Sequence, residues 1–381
     1  MRILVVCDVL GEENNGTTVA TMNLIRFLKS QNHEVRVLCC DKTKMGKEGY
    51  YIAPVLNFGI LNKYVENAGV ELAKADKRVI MQALDGVDHV HIMLPFSLGT
   101  HVAKIAYKRG LPITAGFHMQ AENFTAYLKL NRLKCLNHLV YKVIWKKLYR
   151  YVDGIHYPTE FIKDTFERHI KRKTNAYVIS NGINEMMQVK KVEKKPEYKD
   201  KILILSVGRL EREKSQDVLL KAAALSKYKD KIQIILAGKG HKEKYYKKLG
   251  EKLPNKPIFA FYSRQELVDI LNSADLYIHP ADIELEGIAC LEAIGCGKLV
   301  IVSDSKLSAT RYFAVDDRCI FKTRDPKDLA RVIDYWIDNK EEKAKVEKKY
   351  LESSKTNSLT YCMQMMEKMM IEVSDAKKGQ K

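Results

Sequence analysis

Residues 277–301 read Y-I-H-P-A-D-I-E-L-E-G-I-A-C-L-E-A-I-G-C-G-K-L-V-I, and this stretch decides the fold. Its beginning predicts a short buried strand that Pro280 ends, because proline has no N–H for a sheet ladder. Apolar residues at helical spacing after Gly287 predict a helix, and two glycines terminate it. Val300 then opens the next strand. The stretch therefore predicts a strand, a loop and a helix N-terminus within an α/β sheet.

Three glutamates occupy this stretch, Glu284 and Glu286 at the junction and Glu292 inside the helix. Acidic side chains beside a helix N-terminus cap it and complement its dipole, which would explain Glu284 and Glu286 at about 1 kcal/mol. Glu292 lies among apolar residues, where a carboxylate is costly without a polar partner. Helix N-termini at the carboxyl ends of strands bind phosphorylated ligands, and a carboxylate in the first turns can accept hydrogen bonds from a ribose.

The spacing of Glu284 and Glu292 resembles the E-x7-E signature of the retaining GT-B glycosyltransferases of family 4, the glycogen-synthase-like group. The family stretch usually reads E-P-F-G-x-x-x-x-E, and this chain has Leu285 and Glu286 in place of Pro-Phe. The resemblance implies an α/β fold of two Rossmann-like domains that face each other across a cleft, with a C-terminal helix that crosses back to the N-terminal domain. It also implies metal-independent, retaining transfer of a hexose from a nucleotide-sugar, with a UDP-sugar as the expected donor.

A second motif follows the strand predicted at 201–207, where Gly208-Arg209 is followed by Lys214. Two fixed cations beside a helix N-terminus would neutralise a diphosphate leaving group as its charge develops. Isolated cations are usually solvated surface, but both residues fit the family's G-R-x-x-x-x-K pattern. The resemblance places donor binding on Gly16, Arg209, Lys214, Gly287, Ile288 and Glu292.

His118 stands just past a strand predicted to end near residue 117. A histidine at a strand's carboxyl end can donate to a sugar hydroxyl or a phosphate oxygen. The resemblance implies that His118 and Glu284 are the catalytic residues and hold the donor sugar. Gly16 belongs to a Gly/Asn loop that either approaches the diphosphate or is an ordinary βα turn. The loop is not G-x-G-x-x-G, which disfavours a nicotinamide site.

The chain has 381 residues, 46% of them hydrophobic, which suits two domains of ordinary size. We predict an N-terminal, acceptor-side domain over 1–183, completed by a crossing helix at about 355–375. Loss of periodicity and added charge predict the linker at 184–200. The nucleotide-sugar-binding domain then covers 201–350. The methionine-rich segment 361–373 is predicted to be packing.

The eight cysteines are scattered and mostly lie in apolar segments, which favours buried thiols in a reducing cytosol. No D-x-D triplet and no metal-ligand spacing occur, so we expect no essential metal and no cofactor. Met1 leads directly into a strand, which disfavours a signal peptide. No apolar run approaches the roughly 18 residues of a membrane span. We expect a cytoplasmic protein, peripheral on the inner face of the cell membrane if it contacts lipid.

The net charge of +18 suits nucleic acid, an anionic membrane surface or acidic substrates, although a lysine-rich surface also contributes. Residues 128–152 predict a basic amphipathic helix. Its apolar face comprises Leu133, Leu136, Val140, Ile144, Leu148 and Val152. The membrane-contact candidates on it are Lys142, Trp145, Lys146, Lys147 and Arg150. Such a helix either lies on an anionic membrane or packs on its own sheet with solvated lysines.

The acceptor is open at this stage. A membrane lipid such as diacylglycerol or a glycosyl-diacylglycerol suits the basic helix, and a polyprenyl-linked or capsular (cell-wall) glycan suits it almost as well. A basic nucleic-acid-binding protein is the alternative from another class. It would lack a reader module and would leave Glu284, Glu292 and the Gly-Arg-Lys set unexplained. A non-catalytic sugar-nucleotide binder is the third alternative.

Overall fold

The computed structural model describes residues 1–10, 16–57, 72–127 and 134–379. It divides into two compact units, Met1–Asn181 with Thr360–Lys381 and Gly182–Leu359. Within the described residues the strands are β1 (Arg2–Val6), β2 (Glu34–Cys39), β3 (Tyr50–Ile52), β4 (His89–Ile92), β5 (Ile113–Gly116), β6 (Gly154–Tyr157), β7 (Ala176–Val178), β8 (Ile202–Val207), β9 (Ile232–Ala237), β10 (Ile258–Ala260), β11 (Leu276–His279), β12 (Ile283–Glu284), β13 (Val300–Ser303), β14 (Leu307–Ser308) and β15 (Ile320–Phe321).

The α-helices of the same residues alternate with these strands. They are α1 (Gly16–Ser30), α2 (Lys77–Ala83), α3 (Ser97–Lys108), α4 (Ala121–Tyr127), α5 (Lys134–Lys147), α6 (Glu160–Ile170), α7 (Gln216–Leu225), α8 (Glu243–Gly250), α9 (Arg264–Ser273), α10 (Ile288–Gly295), α11 (Pro326–Asp338), α12 (Lys340–Ser354) and α13 (Leu359–Lys378). None of the described helices is both long and apolar enough to span a membrane.

Each unit contains a large parallel sheet. The first has the strand order β3-β2-β1-β4-β5-β6-β7, and the second has β10-β9-β8-β11-β13-β15. Every residue of β9 and of β13 is buried, as expected for parallel strands covered on both faces. In the second unit β8 and β11 are neighbours, and the strands that follow each of them in the chain are added on opposite sides, β9 and β10 beside β8 and β13 and β15 beside β11. This reversal is a topological switch point, where open α/β sheets bind ligands at the carboxyl ends of the strands.

The C-terminal helix α13 returns to the first unit, as the sequence predicts. Its methionines Met363, Met366, Met369 and Met370 are buried, so the stripe is packing. The helix lies close to β6, because a Cβ added to Gly154 would be 3.0 Å from Cγ2 of Val373. The helix begins and ends slightly later than the predicted 355–375.

A layer of buried histidines lies on one face of the first sheet. His89 Nδ1 contacts Ser374 Oγ of α13 at 2.8 Å, and His89 Nε2 contacts Thr114 Oγ1 at 2.8 Å. His91 Nδ1 reaches the same hydroxyl at 2.9 Å. Burial lowers the pKa of His89 to about 3 and that of His156 to about 4, and it lowers the pKa of His91 well below the usual range. These rings are therefore neutral at physiological pH.

The segment 184–200, predicted as a linker, packs on the second unit. Met187 is buried in the core of that unit. The backbone amide of Lys190 donates to Asn272 Oδ1 at 2.8 Å, and the side-chain amide of Asn272 donates to the backbone carbonyl of Gln188. Loss of helical periodicity in this segment therefore reflects an irregular but anchored chain.

The helix predicted over 128–152 is shorter in the structure. Residues 128–133, with Leu133, lie outside the described residues. The helix α5 ends at Lys147, because Leu148 leaves the helical region at φ −123° and ψ −68°, and a 3₁₀ turn, Tyr149–Tyr151, follows. The apolar repeat in the sequence cannot reveal where the helix ends, because Leu148 is buried even though it lies outside the helix.

Candidate active site

The loops after β8 and β11 meet at the switch point of the second unit. Lys214, at the end of a 3₁₀ turn after β8, forms an ion pair with Glu284 of β12. Both side chains are largely buried, at 14% and 15% exposure. Two residues that the sequence singled out in separate motifs are therefore brought together.

Glycines fix the course of the β8 loop. Gly208 adopts φ +149° and Gly238, at the end of β9, adopts φ +154°. A Cβ on Gly238 would lie 2.0 Å from the carbonyl oxygen of Gly208, so the two turns touch backbone to backbone. The amide of Leu210 then donates to the carbonyl of Lys239 at 2.9 Å. The turn at Gly208-Arg209 and the turn at Gly238-Lys239-Gly240 are thus two sides of one contact.

Glu284 is held through a single oxygen. Lys214 Nζ and His279 Nε2 both contact Oε2, the latter at 3.0 Å, and Oε1 has no protein partner in the part of the chain that the structure describes. Burial by itself would raise the pKa of Glu284, but the charge of Lys214 and the hydrogen bond with His279 outweigh it and hold the pKa well below the usual range. Glu284 is therefore an ionised acceptor at neutral pH and cannot donate a proton.

The N-terminus of α10 does not use Glu284 as a cap. The N-cap residue is Gly287, at φ +93°, which has no side chain with which to cap the helix. A Cβ at Gly287 would be 2.5 Å from Cγ2 of Thr310, so glycine is required on two counts. Glu284 pairs with Lys214, and Glu286 is buried. The first amides of α10, from Ile288, therefore have no N-cap side chain as an acceptor, an arrangement suited to an anion.

Glu292 has the polar partner that its apolar surroundings demand. Arg264, the first residue of α9, forms an ion pair with Oε1, and Oε2 has no partner among the described residues. The carboxylate is 7% exposed and the guanidinium 43%. Burial raises the pKa of Glu292, and the charge of Arg264 opposes that rise in part.

Arg209 follows β8 by two residues and is 43% exposed. Its guanidinium donates to Glu213 Oε1 at 3.0 Å, and Glu213 is buried. The side-chain amide of Gln216 donates to the carbonyl of Arg209 at 2.9 Å. Arg209 therefore lies on a fixed backbone with an anchored yet solvent-accessible head group.

In the first unit, His118 follows β5 and folds back over Gly116. A Cβ on Gly116 would be 2.5 Å from His118 Nε2, so the ring occupies the space that a side chain would take. The ring lies edge-on to His156, with centroids 5.4 Å apart. Burial lowers the pKa of His118 to about 3, and Nε2 has no hydrogen-bond partner within the described ranges. Gly16 begins α1 and is exposed.

Two family models match the chain. The model described as "Glycosyl transferases group 1" matches residues 159–352, and the model described as "Glycosyltransferase Family 4" matches residues 14–185. The chain belongs to the group 1 glycosyl transferases. No curated protein matched this transferase in a sequence search.

Two solved structures resemble the transferase over nearly its whole length, and a third covers part of it. Anabaena Alr3699/HepE in complex with UDP and glucose is 14% identical, with a TM-score of 0.72 over 97% of this chain and 99% of that one. Sucrose-phosphate synthase from Thermosynechococcus elongatus is 15% identical, with a TM-score of 0.74 over 99% of this chain and 100% of that one. The catalytic domain of cholesterol-alpha-glucosyltransferase from Helicobacter pylori is 45% identical over 40% of this chain and 97% of that one, with a TM-score of 0.38. The first two likenesses confirm the predicted GT-B fold class.

The helix α5 of the transferase carries the basic residues outward. Lys142, Lys146 and Lys147 are exposed on α5, and Arg150 is exposed in the 3₁₀ turn that follows it. On the same helix the apolar side chains of Leu139 and Val143 are 56% and 38% exposed. Two residues of the predicted apolar face, Ile144 and Leu148, are buried. Trp145 departs from the surface prediction, because it is half-buried with its ring 6.3 Å from that of Phe166.

Two polar partners in the transferase escaped the sequence motifs. His279 ends β11 and contacts Glu284, and Arg264 pairs with Glu292. Arg264 lies in a capping box, since Ser263 Oγ accepts from the amide of Glu266 and the Glu266 side chain accepts from the amide of Ser263. The S-x-x-E pattern therefore indicates where α9 starts. No pattern in the neighbouring sequence indicates that Arg264 pairs with Glu292.

Proposed function

We propose that this glycosyltransferase moves a hexose from a UDP-sugar to an acceptor hydroxyl with retention at the anomeric carbon. The observation that carries the proposal is the Lys214–Glu284 pair at the switch point of the second unit. Arg209, on the same loop as Lys214, and the N-terminus of α10, with its glycine N-cap, supply the further groups that a diphosphate needs. UDP and glucose in the Anabaena relative support UDP as the nucleotide.

Each residue has a distinct task in this proposal. An ammonium has three N–H donors, so Lys214 can keep Glu284 and also bind a phosphate oxygen. Arg209 and the amides at Gly287–Ile288 take the remaining diphosphate charge. Oε2 of Glu292 accepts from the ribose, because Arg264 occupies only Oε1. Oε1 of Glu284 accepts from a sugar hydroxyl.

The acceptor oxygen attacks the anomeric carbon from the face that the diphosphate leaves. The new C–O bond forms as the bond to the phosphate oxygen breaks, and the hydroxyl proton passes to that oxygen. Lys214 and Arg209 stabilise the departing charge. Glu284 stays ionised and therefore holds the sugar without supplying a proton. His118 of the first unit, with Nε2 unpartnered among the described residues, is proposed as a further sugar contact.

We further propose a membrane lipid as the acceptor, with diacylglycerol or a glycosyl-diacylglycerol as the class. The supporting observation is the α5 surface, here α5 with the 3₁₀ turn after it, where Leu139 and Val143 are exposed on the same segment as four exposed cations. Exposed apolar side chains together with lysines on one helix suit an anionic bilayer surface. A polyprenyl-linked or cell-wall glycan remains the alternative, since such acceptors lie at the same surface.

A donor screen tests the proposed reaction. Melting temperatures are measured with UDP-, GDP- and ADP-sugars, because a ligand that binds only the folded state raises them. A UDP-sugar should give the largest rise, and Glu292→Ala should remove most of it. Product from the best donor is then examined by ¹H NMR, where the donor's own anomeric configuration is expected. An inverted product would contradict retention, and no rise with any donor would contradict the donor site.

Sedimentation with liposomes tests the proposed acceptor surface. Anionic vesicles should pellet the protein, neutral vesicles should not, and added salt should weaken the effect. Charge removal at Lys142, Lys146, Lys147 and Arg150 should abolish pelleting. The matched control removes four exposed charges from α12, at Lys340, Lys345, Lys348 and Lys349. Equal loss in both variants would show that total charge, and not the α5 surface, governs binding.

A further inference from the structure

Two residues of β11 form a buried chain of contacts that ends on Glu284. Tyr277 and His279 lie two apart on the strand and hence on one face of the sheet. Tyr277 Oη is 3.2 Å from His279 Nδ1, and His279 Nε2 is 3.0 Å from Glu284 Oε2. Tyr277 is fully buried and His279 is 3% exposed, and the two rings stack with an interplanar angle of 18°.

The direction of each hydrogen bond follows from the chemistry of the end group. An ionised carboxylate only accepts, so Nε2 of His279 must carry the hydrogen that points at Glu284. If the ring is neutral, Nδ1 is then the acceptor and the hydroxyl of Tyr277 is its donor. Burial raises the pKa of Tyr277 well above its usual value, so this hydroxyl keeps its proton.

Lys214 alone would hold Glu284 poorly. An ammonium on a four-carbon stem is a point charge without directional preference, whereas an imidazole donates along one line. The imidazole of His279 belongs to a central strand and is fixed at its far side by Tyr277. It can therefore orient the carboxylate in a way that the lysine cannot.

We propose that Tyr277 and His279 are positioning residues of the donor-sugar site, which hold Oε2 of Glu284 so that Oε1 faces the sugar. The inference rests on the proposed transfer reaction. It assigns His279 the neutral Nε2–H tautomer and assigns Tyr277 the task of enforcing it. Neither residue touches the reacting atoms.

Two substitutions at His279 separate orientation from mere packing. In His279→Gln the side-chain amide nitrogen falls near the position of Nε2 and can still donate to Glu284. In His279→Asn the amide falls near Nδ1, so contact with Tyr277 survives and the bond to Glu284 is lost. We expect His279→Asn to lower kcat about 10- to 100-fold, the range for a lost hydrogen bond to a charged group, with UDP affinity within about twofold. His279→Gln should recover most of that loss.

The tautomer gives a readout that does not need activity. With ¹⁵N-labelled histidine, the signal that disappears in His279→Gln belongs to His279, and its two ring nitrogens should show the Nε2–H pattern. Tyr277→Phe should admit the Nδ1–H form and lower kcat a few-fold, on the scale of one neutral hydrogen bond. The control is Tyr350→Phe, a buried tyrosine of the same unit whose hydroxyl donates to the carbonyl of Val300 at 2.9 Å. It should affect melting temperature and leave kcat unchanged.

The outcomes separate the two proposals. A wild-type protein that transfers no sugar from any nucleotide-sugar overturns the proposed function, and the NMR spectrum still tests the tautomer. An active wild type with full kcat in His279→Asn overturns the positioning role alone. An Nδ1–H pattern in the wild type does the same. Equal kcat losses in His279→Gln and His279→Asn at equal melting temperatures would also overturn it, because only one of them loses the donor.

Discussion

Replacing Lys214 with methionine keeps most of the side-chain volume and removes the charge that faces Glu284. Both side chains are largely buried, so water cannot replace the lost partner well. Removing one member of a buried pair typically costs about 3–5 kcal/mol, and unit charges about 4 Å apart near a protein surface attract by about 4 kcal/mol. We expect Lys214→Met to lower the unfolding free energy of the second unit by about 3 kcal/mol.

A double-mutant cycle with Glu284→Gln isolates the pair. The glutamine is uncharged, so the double variant leaves no buried charge without a partner. It should therefore be about 2 kcal/mol more stable than the sum of the two single effects predicts. The chain has two tryptophans, and Trp336 lies in the second unit. In a Trp145→Phe background, urea titration followed by Trp336 fluorescence therefore reports this unit alone.

The pH dependence supplies an independent check on the same pair. Because the pKa of Glu284 is depressed in the folded state, its stabilisation is present above the unfolded value of about 4.5 and is lost as pH falls below it. The cost of Lys214→Met should therefore shrink below about pH 4. A coupling energy under about 0.5 kcal/mol at pH 7.5, or a cost that does not change with pH, would refute the reasoning.

Three further predictions follow from local geometry. Four buried histidines of the first unit have folded pKa values below the unfolded value of about 6.5: His89, His91, His118 and His156. Their protonation should therefore lower the unfolding free energy of that unit by more than about 2 kcal/mol for each pH unit between about pH 6 and 4. Urea titration followed by Trp145 fluorescence measures this loss. Gly287→Ala should cost about 1–3 kcal/mol more than Gly46→Ala in urea titration, since both glycines have positive φ but only Gly287 meets a neighbour; equal costs would contradict the contact. Arg264→Met should lower the free energy of unfolding, measured by urea titration, by about 1–2 kcal/mol. Adding Glu292→Gln should recover most of this loss, because the cost comes from the unpaired buried carboxylate.

The features that the sequence predicted well are those encoded within short stretches. The strand and helix around Gly287 follow from periodicity and punctuation that span about twenty residues. The pairing of Lys214 with Glu284 follows once both are placed at the carboxyl ends of adjacent parallel strands, because those ends share one edge of the sheet. The family resemblance supplied which strands these were.

The features that escaped prediction depend on contacts between distant residues. Glu292 needed a partner, but Arg264 lies 28 residues away and no spacing rule connects them. The explanation of Glu284 as a helix cap does not hold, because its carboxylate pairs with Lys214, which lies 70 residues away. Gly116 likewise gains its meaning only when the ring of His118 folds over it.

The most direct test of the central claim compares UDP with uridine by titration calorimetry. The claim is that cations after β8 bind the diphosphate while Glu292 binds the ribose. Arg209→Met should weaken UDP by about tenfold or more, the scale of a lost charged hydrogen bond, and leave uridine unchanged, whereas Glu292→Ala should weaken both. Unchanged UDP affinity in Arg209→Met, or equal weakening of UDP and uridine in that variant, would contradict the account.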